Sequence, residues 1–115
     1  MRRALRRPEA LLDITEQVLW LADRSPEAAR RFRAEVERTV GLLADTPGMG
    51  APRPYRDPAL AGLRMHPVCG FPEHLVFYLP LPDGIEVVRV LHAKRNIRRL
   101  FGERSSGATE GEGEG

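Results

Sequence analysis

Cysteine and lysine are almost missing from this 115-residue sequence: Cys69 and Lys94 each stand alone. A single thiol cannot form an intramolecular disulfide, and nothing in the cysteine usage points to an oxidising compartment. The cytoplasm is the expected location. Long apolar runs are missing too, since no stretch approaches the roughly 18 residues of a membrane-crossing helix. The basic start Arg2-Arg3-Ala4-Leu5-Arg6-Arg7 meets Pro8, Glu9 and Asp13 instead of the apolar core of a signal peptide. No membrane association is expected. No Gly-Lys-Ser/Thr follows Gly48 and Gly50, so a phosphate loop is not predicted. His66, Cys69 and His74 match no standard zinc spacing and lack a fourth ligand, and neither a metal nor a cofactor is expected. Cys69, beside Gly70, lacks the sequence context of a nucleophile and reads as an inert thiol.

What is present suits one compact domain. Hydrophobic residues make up 42% and charged residues 30%, too many core formers for a disordered chain. The segment from Gly102 to Gly115 has Gly, Ser and Glu with no core former except Ala108, so residues 1–101 are read as the folded domain and 102–115 as a disordered acidic tail. Residues 1–101 then hold 17 basic and 12 acidic side chains, a net +5. Such a balance favours an anionic partner, nucleic acid or acidic protein, without choosing between them. Arg30, Arg31, Arg33 and Arg38 fit the wet face of a helix.

The segment Arg3 to Arg7, ahead of a proline, reads as a short edge strand. Pro8-Glu9 opens a helix to about Asp23, because proline suits the first turn and a carboxylate suits the positive end of the dipole. Leu11, Ile14, Val18 and Leu21 recur at helical spacing and predict its core stripe. Ser25-Pro26-Glu27 repeats the start signal, and the second helix runs to about Asp45 with Ala29, Phe32, Val36, Val40 and Leu43 facing inward. With so short a joint the two helices form an antiparallel hairpin. Prolines and glycines from Thr46 to Gly62 predict a connecting loop with neither helix nor regular strand.

Beyond the loop the period becomes two, giving strands at 63–68, 74–79 and 85–92. Asp83-Gly84 signals a hairpin turn, with Pro80 and Pro82 lengthening its loop. Strict alternation puts Ile85, Val87 and Leu91 on one face of the last strand around Arg89, and Val88 and Val90 on the other. Both faces are then apolar while the helical hairpin covers one, so the second must be covered by the terminal helix or a partner, or stay partly exposed. Lys94 to Phe101 suits a short basic helix. The fold class is α+β: an N-terminal helical hairpin on a small, mainly antiparallel sheet, with a short C-terminal helix.

Several segments resemble one family. They are Pro8-Glu9-Ala10, Ser25-Pro26-Glu27-Ala28-Ala29 with Arg31-Phe32, Pro47-Gly48-Met49-Gly50 with Pro52-Arg53-Pro54, Gly62-Leu63-Arg64 with Val76-Phe77-Tyr78, and the run from Ile85 to Asn96. Over residues 3–101 the chain resembles toxins of the RelE/ParE superfamily of type II toxin-antitoxin systems, ParE branch; Asn96 stands where that branch more often has aspartate. The resemblance implies a growth-inhibiting toxin, neutralised by a cognate ParD-like antitoxin, that poisons DNA gyrase without bond-breaking chemistry. Arg64, Arg89, His92, Lys94 and Arg95 are then target contacts or scaffold, His92 having a capping role at the strand end as its plainer reading, and the antitoxin-binding residues stay unassigned. The alternative is a RelE-type, ribosome-dependent endoribonuclease acting on messenger RNA. There His92 would move a proton, Arg64, Arg89 and Arg95 would hold phosphate and Tyr78 would orient it. The tyrosine or histidine that such enzymes usually carry near the C-terminus is missing.

Overall fold

The computed structural model describes residues 2–95 and 97–101; Asn96 and the acidic tail fall outside them. The chain begins with β1 (Arg3–Arg6), α1 (Pro8–Arg24) and α2 (Pro26–Asp45). After the loop come β2 (Ala51–Pro52), β3 (Arg64–Val68), β4 (Phe71–Leu81), β5 (Gly84–His92) and α3 (Ile97–Leu100). The five strands form one sheet in the order β1-β5-β4-β3-β2. β1 lies parallel to β5 and the other pairs are antiparallel. The edge position read for Arg3 to Arg7 is therefore borne out. Gly84 makes that edge possible, since a Cβ there would sit 1.8 Å from the Arg3 carbonyl oxygen and its φ is 156°.

α2 follows its sequence closely. The Ser25 hydroxyl accepts from the Ala28 amide at 3.2 Å, and Ala29, Phe32, Val36, Val40 and Leu43 are all buried. Of these, Phe32, Val36, Val40 and Leu43 pack with Val76, Tyr78, Ile85 and Val87 on one face of the sheet. Burial of such side chains contributes about 1.5–3 kcal/mol each. Thr39, also buried, accepts from the Cys69 amide at 2.9 Å and so fastens the β3–β4 turn onto α2. The longest helices have no span apolar enough to cross a membrane among the described residues.

Four expectations are corrected. First, Leu11 is 49% exposed; the inward side of α1 is turned toward Ala10, Asp13 and Ile14, with Val18 and Leu21 half-buried. Ala10 lets the helix approach the sheet closely, and Asp13 goes inward because Arg89 meets it there. Second, alternation along β5 breaks at a bulge, where Phe77 opposes Arg89 but Tyr78 opposes Val87. Val88 is the extra residue, so Ile85, Val87 and Val90 face the helices while Val88 and Leu91 face away. Third, the β4–β5 loop is not lengthened: Pro80 lies within β4 opposite Ile85, and only Pro82 and Asp83 make the turn. β3 pairs no further than Tyr78, so beyond it a missing N–H costs no ladder bond on the open side. Fourth, the loop is partly ordered, with 3-10 turns at Pro47–Met49 and Pro58–Leu60 and the short β2, and the terminal helix begins only at Ile97, after Lys94 and Arg95.

The second face of the sheet is closed by the chain itself. Phe77, Val88 and Leu91 are buried beneath Leu60, Leu63 and Phe101, with Tyr55 and Ile97 packed alongside. Most of that cover comes from the proline-rich loop, through Tyr55, Leu60 and Leu63, which was not among the expected covers; the terminal helix adds Ile97, with Phe101 just after it. Among the described residues, half of the large apolar side chains left in solvent lie on α1: Leu11, Leu12, Leu19 and Trp20.

Candidate target-binding cleft

The end of β5 carries His92, and β4 sets His74 directly opposite it. The two imidazoles meet edge to face, with centroids 5.0 Å apart and planes at 81°. Phe32 lies on His74 as well, at 4.7 Å. α1 closes the third side through Glu16, Gln17 and Trp20, Glu73 of β4 lines it too, and Lys94 and Arg95 form the rim of a cavity of about 550 Å³. Both of these cations are exposed.

Hydrogen bonds fix the chemistry of both rings. Gln17 Nε2 donates to the Val90 carbonyl at 2.7 Å, so its Oε1, 2.6 Å from His74 Nδ1, is the acceptor. Nδ1 of His74 therefore holds a proton, and the neutral ring keeps its lone pair on Nε2. Burial pushes the His74 pKa below the usual 6.5, and the neighbouring His92 pushes it the same way, against a smaller opposing pull from Glu73. On His92, Nδ1 accepts from the Lys94 amide at 3.1 Å. Its Nε2 then carries the proton and faces Glu73 at 3.3 Å. His92 thus ties the strand end to the turn that presents Lys94 and Arg95.

The other candidate residues do not join this cleft. Arg89 forks onto Asp13 through Nε and Nη2 at 2.7 and 2.8 Å, and the same carboxylate accepts from the Val90 amide. That bond, ahead of the cost of burial, holds the guanidinium protonated above its ordinary range. Arg89 walls a separate cavity of about 350 Å³ beside Arg7 and Phe101. Arg64 donates to the carbonyls of Gly48 and Gly50. Tyr78 is fully buried; its hydroxyl donates to the Pro47 carbonyl at 2.7 Å and accepts from the Gly50 amide at 2.8 Å. A Cβ on Gly50 would come within 2.6 Å of that hydroxyl oxygen. Burial raises the Tyr78 pKa. Arg64 and Tyr78 accordingly pin the turn after α2, and no third His, Cys, Asp or Glu joins a possible metal cluster among the described residues.

Sequence reasoning passed over Gln17, Trp20 and His74 as members of a site. One signal was available: Asp13 and Gln17 are polar residues four apart on the inward side of an otherwise apolar helix face. Burying two such groups demands partners. Arg89 and His74 are those partners.

Comparison with known proteins adds three findings. A family model described as the ParE toxin of type II toxin-antitoxin systems matches residues 5–97. The chain is 34% identical over 76 residues to Toxin ParE1 of Caulobacter vibrioides, covering 66% of this chain and 72% of that protein. A solved structure described as a chromosomal ParDE TA system from P. aeruginosa is similar with a TM-score of 0.65 over 82% of this chain and 98% of that one. At 18% identity that last likeness is one of fold.

Proposed function

Since the chain belongs to the ParE toxin family of type II toxin-antitoxin systems, we propose that it inhibits growth in the cytoplasm by trapping DNA gyrase on cleaved DNA, and that a ParD-like antitoxin neutralises it. The observation that carries this reading is the exposed rim of Lys94 and Arg95, tied to His92 beside an aromatic-walled cleft. A poison that acts by binding needs a complementary surface and no reacting group. Here Lys94, Arg95 and His92 make the target contact, while Arg64 and Arg89 are scaffold that shapes the surfaces around them. The net charge of residues 1–101, 17 basic against 12 acidic, steers the toxin toward a polyanionic gyrase–DNA complex.

Ribosome-dependent cleavage of messenger RNA would need His92, Arg64, Arg89, Arg95 and Tyr78 around one phosphate. Arg64, Tyr78 and Arg89 are occupied within the fold instead. The test uses the purified chain with gyrase and supercoiled plasmid, and in parallel with translating ribosomes. The expected result is gyrase-linked linear DNA and intact messenger. Cut messenger with untouched plasmid would reverse the assignment.

A further inference from the structure

The groups left free inside the cleft are of one kind. Gln17 is committed at both ends of its amide, to the Val90 carbonyl and to His74 Nδ1. Glu73 is held by the His92 N–H at 3.3 Å. Glu16 is exposed and, among the described residues, has no cation within salt-bridge distance. Its field reaches Arg89, but the hydrogen bonds of that guanidinium go to Asp13. The second nitrogen of His74, unprotonated, has no partner among the described residues and is not sealed from solvent. The interior thus offers acceptors without a spare donor, while Lys94 and Arg95 put two cations at the mouth. Trp20 stands one turn of α1 from Glu16 and so on the same side of the helix. Arg24 covers one face of its indole at 3.7 Å, yet the ring is 56% exposed and borders the cleft.

An occupant must then be flat enough to lie on an indole, donate hydrogen bonds from its edge, and carry negative charge where it faces the mouth. A cationic protein side chain suits the carboxylates but meets Lys94 and Arg95 on the way in. A nucleotide meets all three demands. The bases are not equal. The Watson–Crick edge of guanine sets two parallel N–H donors against one carboxylate, which accepts both. Adenine and cytosine offer one donor beside a lone pair, and thymine offers one N–H between two carbonyl oxygens that a carboxylate repels. A volume of about 550 Å³ lies within the roughly 300–1,000 Å³ of sites that enclose small ligands. An unpaired base is the least costly to bring out of the stack. We propose that the cleft is a subsite for one unstacked nucleotide of the cleaved DNA, preferring guanine: Trp20 carries the base, Glu16 reads its edge, and Lys94 with Arg95 hold the flanking phosphates. This deepens, and rests on, the gyrase–DNA reading above.

Trp20 is the chain's one tryptophan, so its emission reports occupancy. The full chain is titrated at low salt with the single-stranded trinucleotides dT-dG-dT and dT-dT-dT. The first should quench the indole and bind roughly tenfold tighter than the second. Glu16→Gln should remove most of that preference without weakening dT-dT-dT. Followed by anisotropy of labelled oligonucleotides, Trp20→Ala should lose roughly tenfold for both, and Lys94→Ala/Arg95→Ala should weaken both alike and flatten the salt dependence. All four positions are exposed, so the variants should melt with the wild type. No quenching, equal affinity for the two trinucleotides, or a preference undiminished in Glu16→Gln would overturn the proposal. So would free dGMP binding as tightly as dT-dG-dT, which makes the cleft a site for a free nucleotide, or tighter binding of the ribonucleotide counterpart, which makes RNA the occupant. Binding to DNA-free gyrase that Trp20→Ala weakens would make it a protein contact and overturn it as well. A chain that selects guanine but never traps gyrase would leave the subsite standing and remove the gyrase reading; gyrase trapping with no trinucleotide bound would do the reverse.

Discussion

On one side of the sheet, Phe32, Val36, Val40 and Leu43 reach down from a 20-residue helix. On the other, Leu60, Leu63 and Phe101 arrive from a proline-rich loop and the end of a four-residue helix. Both faces are buried, but the covers differ in what holds them. α2 is fixed by its own hydrogen-bond ladder and by α1 alongside. The opposite cover has isolated bonds, such as Arg53 N–H to the Leu63 carbonyl at 2.8 Å and Phe101 N–H to the Ile97 carbonyl at 3.1 Å. The helix side should therefore unfold only with the whole domain, and the loop side should open by itself at lower cost.

The largest effect is expected on the helix side. Phe32→Ala, at a fully buried site against Phe71 and His74, should cost about 3–5 kcal/mol in urea unfolding and lower every probe together. Asp13→Ala comes next, at about 3 kcal/mol, because it strands Arg89 and leaves the Val90 amide unpaired. A loss well under 1 kcal/mol would show that the pair is solvated and that α1 is held by apolar contact alone. On the loop side, Phe101→Ala should cost about 2 kcal/mol. It should appear first as faster amide exchange in residues 53–63 and 97–101, ahead of any change in α2. If exchange instead rises uniformly, the two covers form one cooperative unit and the contrast between them fails.

That contrast also explains what could be read from the sequence. The spacing of Phe32, Val36, Val40 and Leu43 and the Ser25-Pro26-Glu27 start are local signals, and α2 follows them. Leu11 falls off the inward side of α1 because Asp13 and Gln17 hold inward positions that a count of apolar residues passes over. The bulge at Val88 depends on how β4 pairs with β5, which no pattern within β5 records. The cleft divides the same way. His92, Lys94 and Arg95 are neighbours in sequence and were legible as a group. His74 enters by cross-strand register and Gln17 from a helix 57 residues away.

The smallest predicted effect concerns His74. Its folded pKa lies below the 6.5 of the unfolded chain, so the unfolded state binds the proton more readily. Stability contributed by the neutral ring is present above 6.5, is lost as pH falls below it, and levels off beneath the folded value. Urea midpoints between about pH 7.5 and about pH 5.5 should thus fall more steeply in wild type than in His74→Gln. Parallel slopes would mean that the ring is better solvated than its contacts with Phe32 and Gln17 imply.

The most direct test of the account compares wild type with Lys94→Glu/Arg95→Glu for gyrase-linked linear plasmid, at matched melting temperatures. Wild type should accumulate linear DNA, increasingly so as salt is lowered, and the double variant should not. Equal trapping by the two proteins, or none by the wild type, would contradict it.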